Sequence, residues 1–183
     1  MKIFLDTSAL IAYYNVDDRH HAEAAETMKK IREGEIPLTR FYTTDYILDE
    51  TLTFIECVLG THELAVKVGE ALQASPFTTI IRIDEETFSE TWSIFCESRG
   101  YSFTDCTSFT VMKKYDIPIA FTFDRHFRDE GFQSIPLITP PKPVEPQPPT
   151  PRSPAVLLLE VLIAEDSVGL KASPFHTFHI PSD

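Results

Sequence analysis

Basic residues are scarce in this 183-residue chain: 16 Lys and Arg stand against 28 Asp and Glu, for a formal charge of −12. Residues 1–139 hold 13 of the basic and 23 of the acidic residues, so the acidity belongs to the part that can fold. A protein that coats nucleic acid through a basic surface is thereby excluded. A nucleic-acid enzyme whose site is acidic because it holds cations is not. Cysteine is also rare. Cys57, Cys96 and Cys106 show no CxxC spacing, which argues against a zinc site or a disulfide framework. They read as small core residues of a reducing compartment. Long hydrophobic runs are missing too. The first is broken by Asp6 and lacks a cleavage region, so it is no signal peptide. A later one, "AVLLLEVLIA", is too short to span a membrane and contains Glu160. The expectation is a cytoplasmic protein without membrane contact. No internal repeat is visible.

What is present is an alternation of short apolar segments with helical patterns, in a chain 43% apolar and able to bury a substantial core. "KIFL", "RFYTT", "TTIIRI", "IPIAFTF" and "SIPLI" read as strands. Between them, "TSALIAYYN", "HHAEAAETMKKIRE", "DYILDETLTFIECVLG", "HELAVKVGEALQAS", "DEETFSETWSIFCESRG" and "TDCTSFTVMKKYD" read as helices, with acidic starts and Gly or Pro stops. Such alternation predicts an α/β fold with a parallel sheet covered on both faces. Sites in such folds lie at the carboxyl ends of the strands. Asp6 and Asp124 both stand at such ends.

From Pro140 the composition changes. "PPKPVEPQPPTPRSP" holds eight prolines in fifteen residues, an extended linker over 140–154. Residues 155–183 form a C-terminal extension that either docks on the domain, meets a partner or stays mobile.

The informative carboxylates are those placed where solvation is poor. On a helical wheel Asp105 falls between Phe109 and Met112, inside the apolar arc, with Thr104 as the expected N-cap. A carboxylate in the first turn helps the helix dipole, but that does not explain one aimed at the core. Glu50 lies at the edge of the stripe formed by Leu48, Thr51, Leu52, Ile55, Val58 and Leu59, on the side of Ile47 and Phe54. Asp6 and Asp124 can serve simply as caps, since "DTS" and "DRH" are good helix starts. Asp45, Asp129 and Glu130 read as ordinary surface charge. Four carboxylates near one sheet end repel one another, and a divalent cation with hard oxygen ligands resolves the repulsion. Mg²⁺ or Mn²⁺ fits that role and can activate water on a phosphodiester.

Four segments, "IFLDTSALIAYY", "TTDYILDETLTFI", "YSFTDCTSF" and "PIAFTFDRHF", resemble in order the acidic motifs of PIN-domain ribonucleases, and most closely the VapC-type toxins of toxin–antitoxin pairs. The resemblance covers residues 1–139. It implies a three-layer α/β/α sandwich with a central parallel sheet, and an Mg²⁺- or Mn²⁺-dependent endoribonuclease that leaves a 3′-hydroxyl and a 5′-phosphate. By motif match Asp6, Glu50, Asp105 and Asp124 form the acidic quartet, with Asp6 and Asp105 the main direct ligands. Ser8 matches the hydroxyl of the first motif and is expected to hold water or phosphate. An RNA substrate, a cognate antitoxin and a homodimer follow from the resemblance alone.

For RNA contacts the candidates are Arg125 and Arg128, together with His126, Phe127, Arg40, Phe41 and Tyr42. His20 and His21 read as solvated helix-end residues. Trp92, Phe88, Phe95 and Cys96, at helical spacing, read as core. Competing readings are a catalytically silent PIN module that binds RNA or a partner, a housekeeping RNA-processing nuclease, and a carboxylate-using phosphatase. The last is disfavoured because "DTS" lacks the second Asp of aspartyl-phosphate chemistry.

Overall fold

The computed structural model describes residues 1–136. The expected linker at 140–154 and extension at 155–183 lie outside the described residues. Five strands and seven helices follow in the order β1 (Lys2–Leu5), α1 (Thr7–Tyr14), α2 (His21–Arg32), β2 (Arg40–Thr44), α3 (Asp45–Cys57), α4 (His62–Ala74), β3 (Thr78–Ile81), α5 (Glu85–Glu97), α6 (Phe103–Lys114), β4 (Ile119–Phe121), α7 (His126–Asp129) and β5 (Gln133–Ile135).

All strand pairs are parallel, in the order β3-β2-β1-β4-β5. The chain moves outward from β1 to β3, crosses back over the sheet, then moves outward again from β4 to β5. Its direction therefore reverses between β1 and β4, which is where open parallel sheets form their crevice. The register there is exact enough to matter. Leu5 pairs with Phe121, and the Asp6 amide donates to the Phe121 carbonyl at 3.1 Å. Asp6 and Thr122 thus leave the sheet side by side.

Successive side chains of β1 serve opposite layers. Phe4 meets Phe127 at 6.2 Å between ring centroids, and Phe127 stands edge-on to Phe109 of α6 at 5.1 Å. Leu5 lines a cleft of about 730 Å³ on the other face, with Leu10 of α1, Met28 and Ile31 of α2, Leu72 of α4 and Phe121. The predicted three-layer sandwich is the observed fold.

The helices that follow β1, β2 and β3 each begin on a side-chain oxygen. Asp6 caps α1, Thr44 accepts from the Ile47 amide at 3.1 Å, and Asp84 accepts from the Thr87 amide at 2.8 Å. These satisfy amides that the first turn leaves unpaired. Helix α6 starts two residues earlier than the wheel suggested. Ser102, not Thr104, is its N-cap, in a reciprocal capping box with Asp105. From Cys106 to Met112 every residue of α6 is buried, so the helix has no solvent face in that stretch.

Several expected core residues lie outside. Cys57 and Cys96 are exposed, and only Cys106 is buried, its thiol pushed up by that burial. Val58 is exposed, and Trp92 is 54% exposed. The reason for Trp92 is the choice of seam. Helix α5 buries Thr87 and Thr91, and Thr91 meets Thr110 of α6 at 3.2 Å. The neighbouring stripe of Phe88, Trp92 and Phe95 gathers instead around Phe103, which lies 5.3, 6.4 and 5.5 Å from them. A wheel identifies the apolar stripe but not that a threonine stripe packs tighter against the next helix.

Candidate active site at the switch point

Asp6 and Asp124 stand where β1 and β4 end. Asp6 is only 6% exposed, and the three hydrogen bonds it accepts from described residues all fall on Oδ2. Ser8 donates from its amide at 3.3 Å and from Oγ at 2.5 Å, and Thr122 donates from Oγ1 at 2.8 Å. Ser8 Oγ in turn accepts the Phe123 amide at 2.9 Å, and Thr122 Oγ1 accepts the Asp124 amide at 2.9 Å. A single network therefore fixes both strand ends and presents Oδ1 of Asp6 free of these bonds.

Burial pushes the Asp6 carboxyl up to about 6; its hydrogen bonds from Ser8 and Thr122 work downward, and the charge of Asp105 works upward again. Ionising Asp6 here is costly without a positive charge nearby.

Glu50 is exposed, as its stripe-edge position suggested, but not adrift. Thr7 Oγ1 donates to Glu50 Oε2 at 2.5 Å, tying α3 to the first turn of α1. Asp105 spends one oxygen on its own capping box: Oδ2 accepts the Ser102 amide at 2.8 Å. Asp124 Oδ1 accepts the His126 amide at 2.9 Å, which starts α7. The bland and the chemical readings of these acids coexist: Asp6 caps α1, Asp105 and Asp124 hold backbone amides at helix starts, and Asp105 and Asp124 still come together.

His126 completes the group. Its Nδ1 lies 3.3 Å from Asp124 Oδ1 and 3.8 Å from Asp105 Oδ2, and a ligand atom from each of the three residues lies within 4.8 Å of the others. The sequence placed His126 among RNA contacts rather than with the acids. The signal available was its place two residues after Asp124, in the turn that an Asp at a strand end sets up. Thr122 was missed altogether. Its only trace is a hydroxyl two residues before Asp124.

The other candidates separate. Arg125, at the N-cap of α7, and Arg128, on that helix, are exposed beside the acids in sequence. Phe127 is fully buried, so it cannot stack on a base. Arg40 and Phe41 begin β2, at the amino end of the sheet and away from the acids; Arg40 bonds Thr79 at 3.1 Å and Phe41 is buried. His20 is no solvated helix end: its ring stacks on Phe123 at 4.3 Å and 13°. His21 is also engaged, with Nδ1 2.9 Å from the Ala12 carbonyl. Asp45 holds the Ile83 amide at 3.2 Å and Glu130 pairs with Lys113 at 3.0 Å, both structural uses.

A parallel sheet in this strand order, with Asp6 and Asp124 at neighbouring strand ends, is what the four motifs imply. The sequence profile of the PIN domain family matches residues 3–132.

The chain is a PIN-domain protein.

Among PIN-domain proteins it is similar to the 23S rRNA-specific endonuclease VapC20 of Mycobacterium tuberculosis, 33% identical over 138 residues that cover 73% of this chain and 97% of that protein. A VapC ribonuclease of Archaeoglobus fulgidus is 27% identical over 130 residues, covering 69% of this chain and 80% of its own. The crystal structure of the Mycobacterium tuberculosis VapC20, described as a Sarcin-Ricin loop cleaving toxin, superposes with a TM-score of 0.61 at 31% identity, over 71% of this chain and 95% of that one. FitAcB from Neisseria gonorrhoeae superposes at 0.51 with 15% identity, over 72% of this chain and 95% of that one, a likeness of fold alone. The match to the PIN family spans all four carboxylates.

Proposed function

We propose that this PIN domain is an endoribonuclease, the toxin of a type II toxin–antitoxin pair, hydrolysing RNA phosphodiesters at the carboxylates that close its sheet. The observation that carries the reading is Asp6, a carboxyl buried at the switch point whose hydrogen bonds from the described residues all fall on Oδ2, within electrostatic reach of Asp105. Relatives that are named as toxin ribonucleases and span the same domain support it.

The donor set suits a divalent cation, Mg²⁺ or Mn²⁺: carboxylate oxygens, one of them in a buried place that disfavours its own charge. Asp6 and Asp105 hold it, and Glu50 and Asp124 complete the set. When bound, such an ion supplies an activated water and neutralises charge building on the phosphate. The chain's own residues do the rest. Ser8 and Thr122 orient the Asp6 carboxylate, and Thr7 orients Glu50. Arg125 and Arg128, exposed at and on α7, offer charge to the RNA backbone. Ser8, whose bonds run inward, acts by positioning Asp6 rather than by holding phosphate.

The domain spans 1–139, followed by the linker at 140–154 and the extension at 155–183. The apolar cleft over the sheet suits the apolar side of an antitoxin helix. The exposed Phe88 and Trp92 suit a second copy in a homodimer. Its place of action is the cytoplasm, and no helix among the described residues is long and apolar enough to cross a membrane.

The test is cleavage of a mixed RNA pool by the pure protein with Mg²⁺, with Mn²⁺ and with chelator, beside Asp6→Asn and Asp105→Asn. Cutting that needs both the metal and the two acids supports the reading. Metal-dependent cutting retained by the double variant overturns it. A silent binding module predicts RNA retention without cutting under every condition.

A further inference from the structure

One atom at the rim of this site does not belong to an all-oxygen set. His126 Nδ1 is buried and makes no hydrogen bond among the described residues, although two carboxylate oxygens stand 3.3 and 3.8 Å away. Neither approach has hydrogen-bond geometry. A buried imidazole nitrogen left in that state is costly. The ring is also not free to leave: it packs edge-on against Tyr101 at 5.0 Å, and its own amide is held by Asp124 at 2.9 Å.

The separations are close to those of ligands around one ion. With metal–ligand distances near ~2.1 Å, adjacent octahedral ligands lie about 3.0 Å apart and opposite ones about 4.2 Å. The two Nδ1 distances fall between these values, and the third edge of the triangle is within 4.8 Å.

We infer that His126 is a metal ligand beside Asp105 and Asp124, and that this side of the site selects a first-row transition dication over Mg²⁺. The inference rests on the carboxylates being a cation site, as proposed above. Mg²⁺ demands hard oxygen ligands and gains little from an imidazole, whereas first-row transition ions accept nitrogen readily. Asp6 lies within electrostatic reach of Asp105 and Glu50 is held by Thr7; neither belongs to the triangle that includes His126.

The experiment uses Mn²⁺ alone as probe on the full-length protein, with no RNA. Electron spin echo spectra of bound Mn²⁺ report a directly coordinated nitrogen, and labelling with ¹⁵N-histidine in the unaltered protein identifies it as imidazole. Titration then compares Mn²⁺ and Mg²⁺ affinity in the unaltered protein and in His126→Asn. Expected are a histidine nitrogen signal that His126→Asn abolishes, and a loss of Mn²⁺ affinity of about tenfold or more with Mg²⁺ affinity changed by less than about threefold. Mn²⁺ bound without a histidine nitrogen coupling overturns the inference and leaves the carboxylate site standing. No Mn²⁺ bound at all, with the fold intact by circular dichroism, overturns both.

Discussion

Ser8 Oγ stands 2.5 Å from Asp6 Oδ2 and 2.9 Å from the Phe123 amide, so one hydroxyl joins the end of β1 to the segment leaving β4. These two strands are neighbours where the chain reverses direction. The bond therefore sets the spacing of Asp6 and Asp124 as well as the orientation of Asp6. Replacing Ser8 by Ala leaves the Phe123 amide without this partner. The expected cost is about 1–2 kcal/mol of stability, read by urea unfolding, together with at least a tenfold loss of RNA cleavage. Full activity in Ser8→Ala would show that Asp6 is held well enough without it.

Asp6 gives a pH signature in the metal-free protein. Its carboxyl is raised from 3.8 to about 6 in the fold, so between these values the native state binds more protons than the unfolded chain. Stability then falls as pH rises from about 4 to 6 and levels off above it. Asp6→Asn keeps an oxygen acceptor for Ser8 and Thr122 but removes the charge. The variant is expected to be more stable than the parent by roughly 2–3 kcal/mol above pH 6.5, with the gap closing towards pH 4. Chemical unfolding across that range, with chelator present, checks it; a gap independent of pH sinks the assignment.

Thr7 is a test of Glu50. With the hydroxyl gone in Thr7→Val, Glu50 keeps its charge but loses its one described restraint on α1. Cleavage is expected to fall about tenfold, with stability changed by less than about 1 kcal/mol, since the pair is exposed. Equal losses in Thr7→Val and Glu50→Gln would fit restraint as the whole role of the bond; an unaffected Thr7→Val would place Glu50 outside the working site.

The aromatic residues divide sharply. Phe127 is fully buried between Phe4 and Phe109, and Phe127→Ala is expected to cost about 3–5 kcal/mol. Trp92→Ala is expected to cost under about 1 kcal/mol, because the indole is more than half exposed. Thermal or urea unfolding of both variants decides it. Trp92 is the only tryptophan, so its fluorescence also reports directly whether a second copy covers this patch.

Much of this was legible in the chain itself. Strands of three to five residues, alternating with capped helices, dictate a parallel sheet because neither element can bury its apolar side alone. The carboxylates at Asp6 and Asp124 are conspicuous for ending apolar strands. Glu50 and Asp105 needed the motif order to join them, since a helical wheel shows a side chain's direction but not which neighbour it meets.

What the sequence by itself determined was the fold class and the placing of Asp6 and Asp124 at strand ends, because periodicity and strand-end chemistry are local properties written into a few residues each. Only the tertiary structure decided that Thr122 and Ser8 share Asp6, that His126 faces two carboxylates, and that Thr91 rather than Trp92 is the inward seam of α5. Those facts depend on the register of β1 against β4 and on which helix packs on which. Both are relations between segments distant in the chain, fixed by the packing of the whole sheet and carried by no single stretch of it.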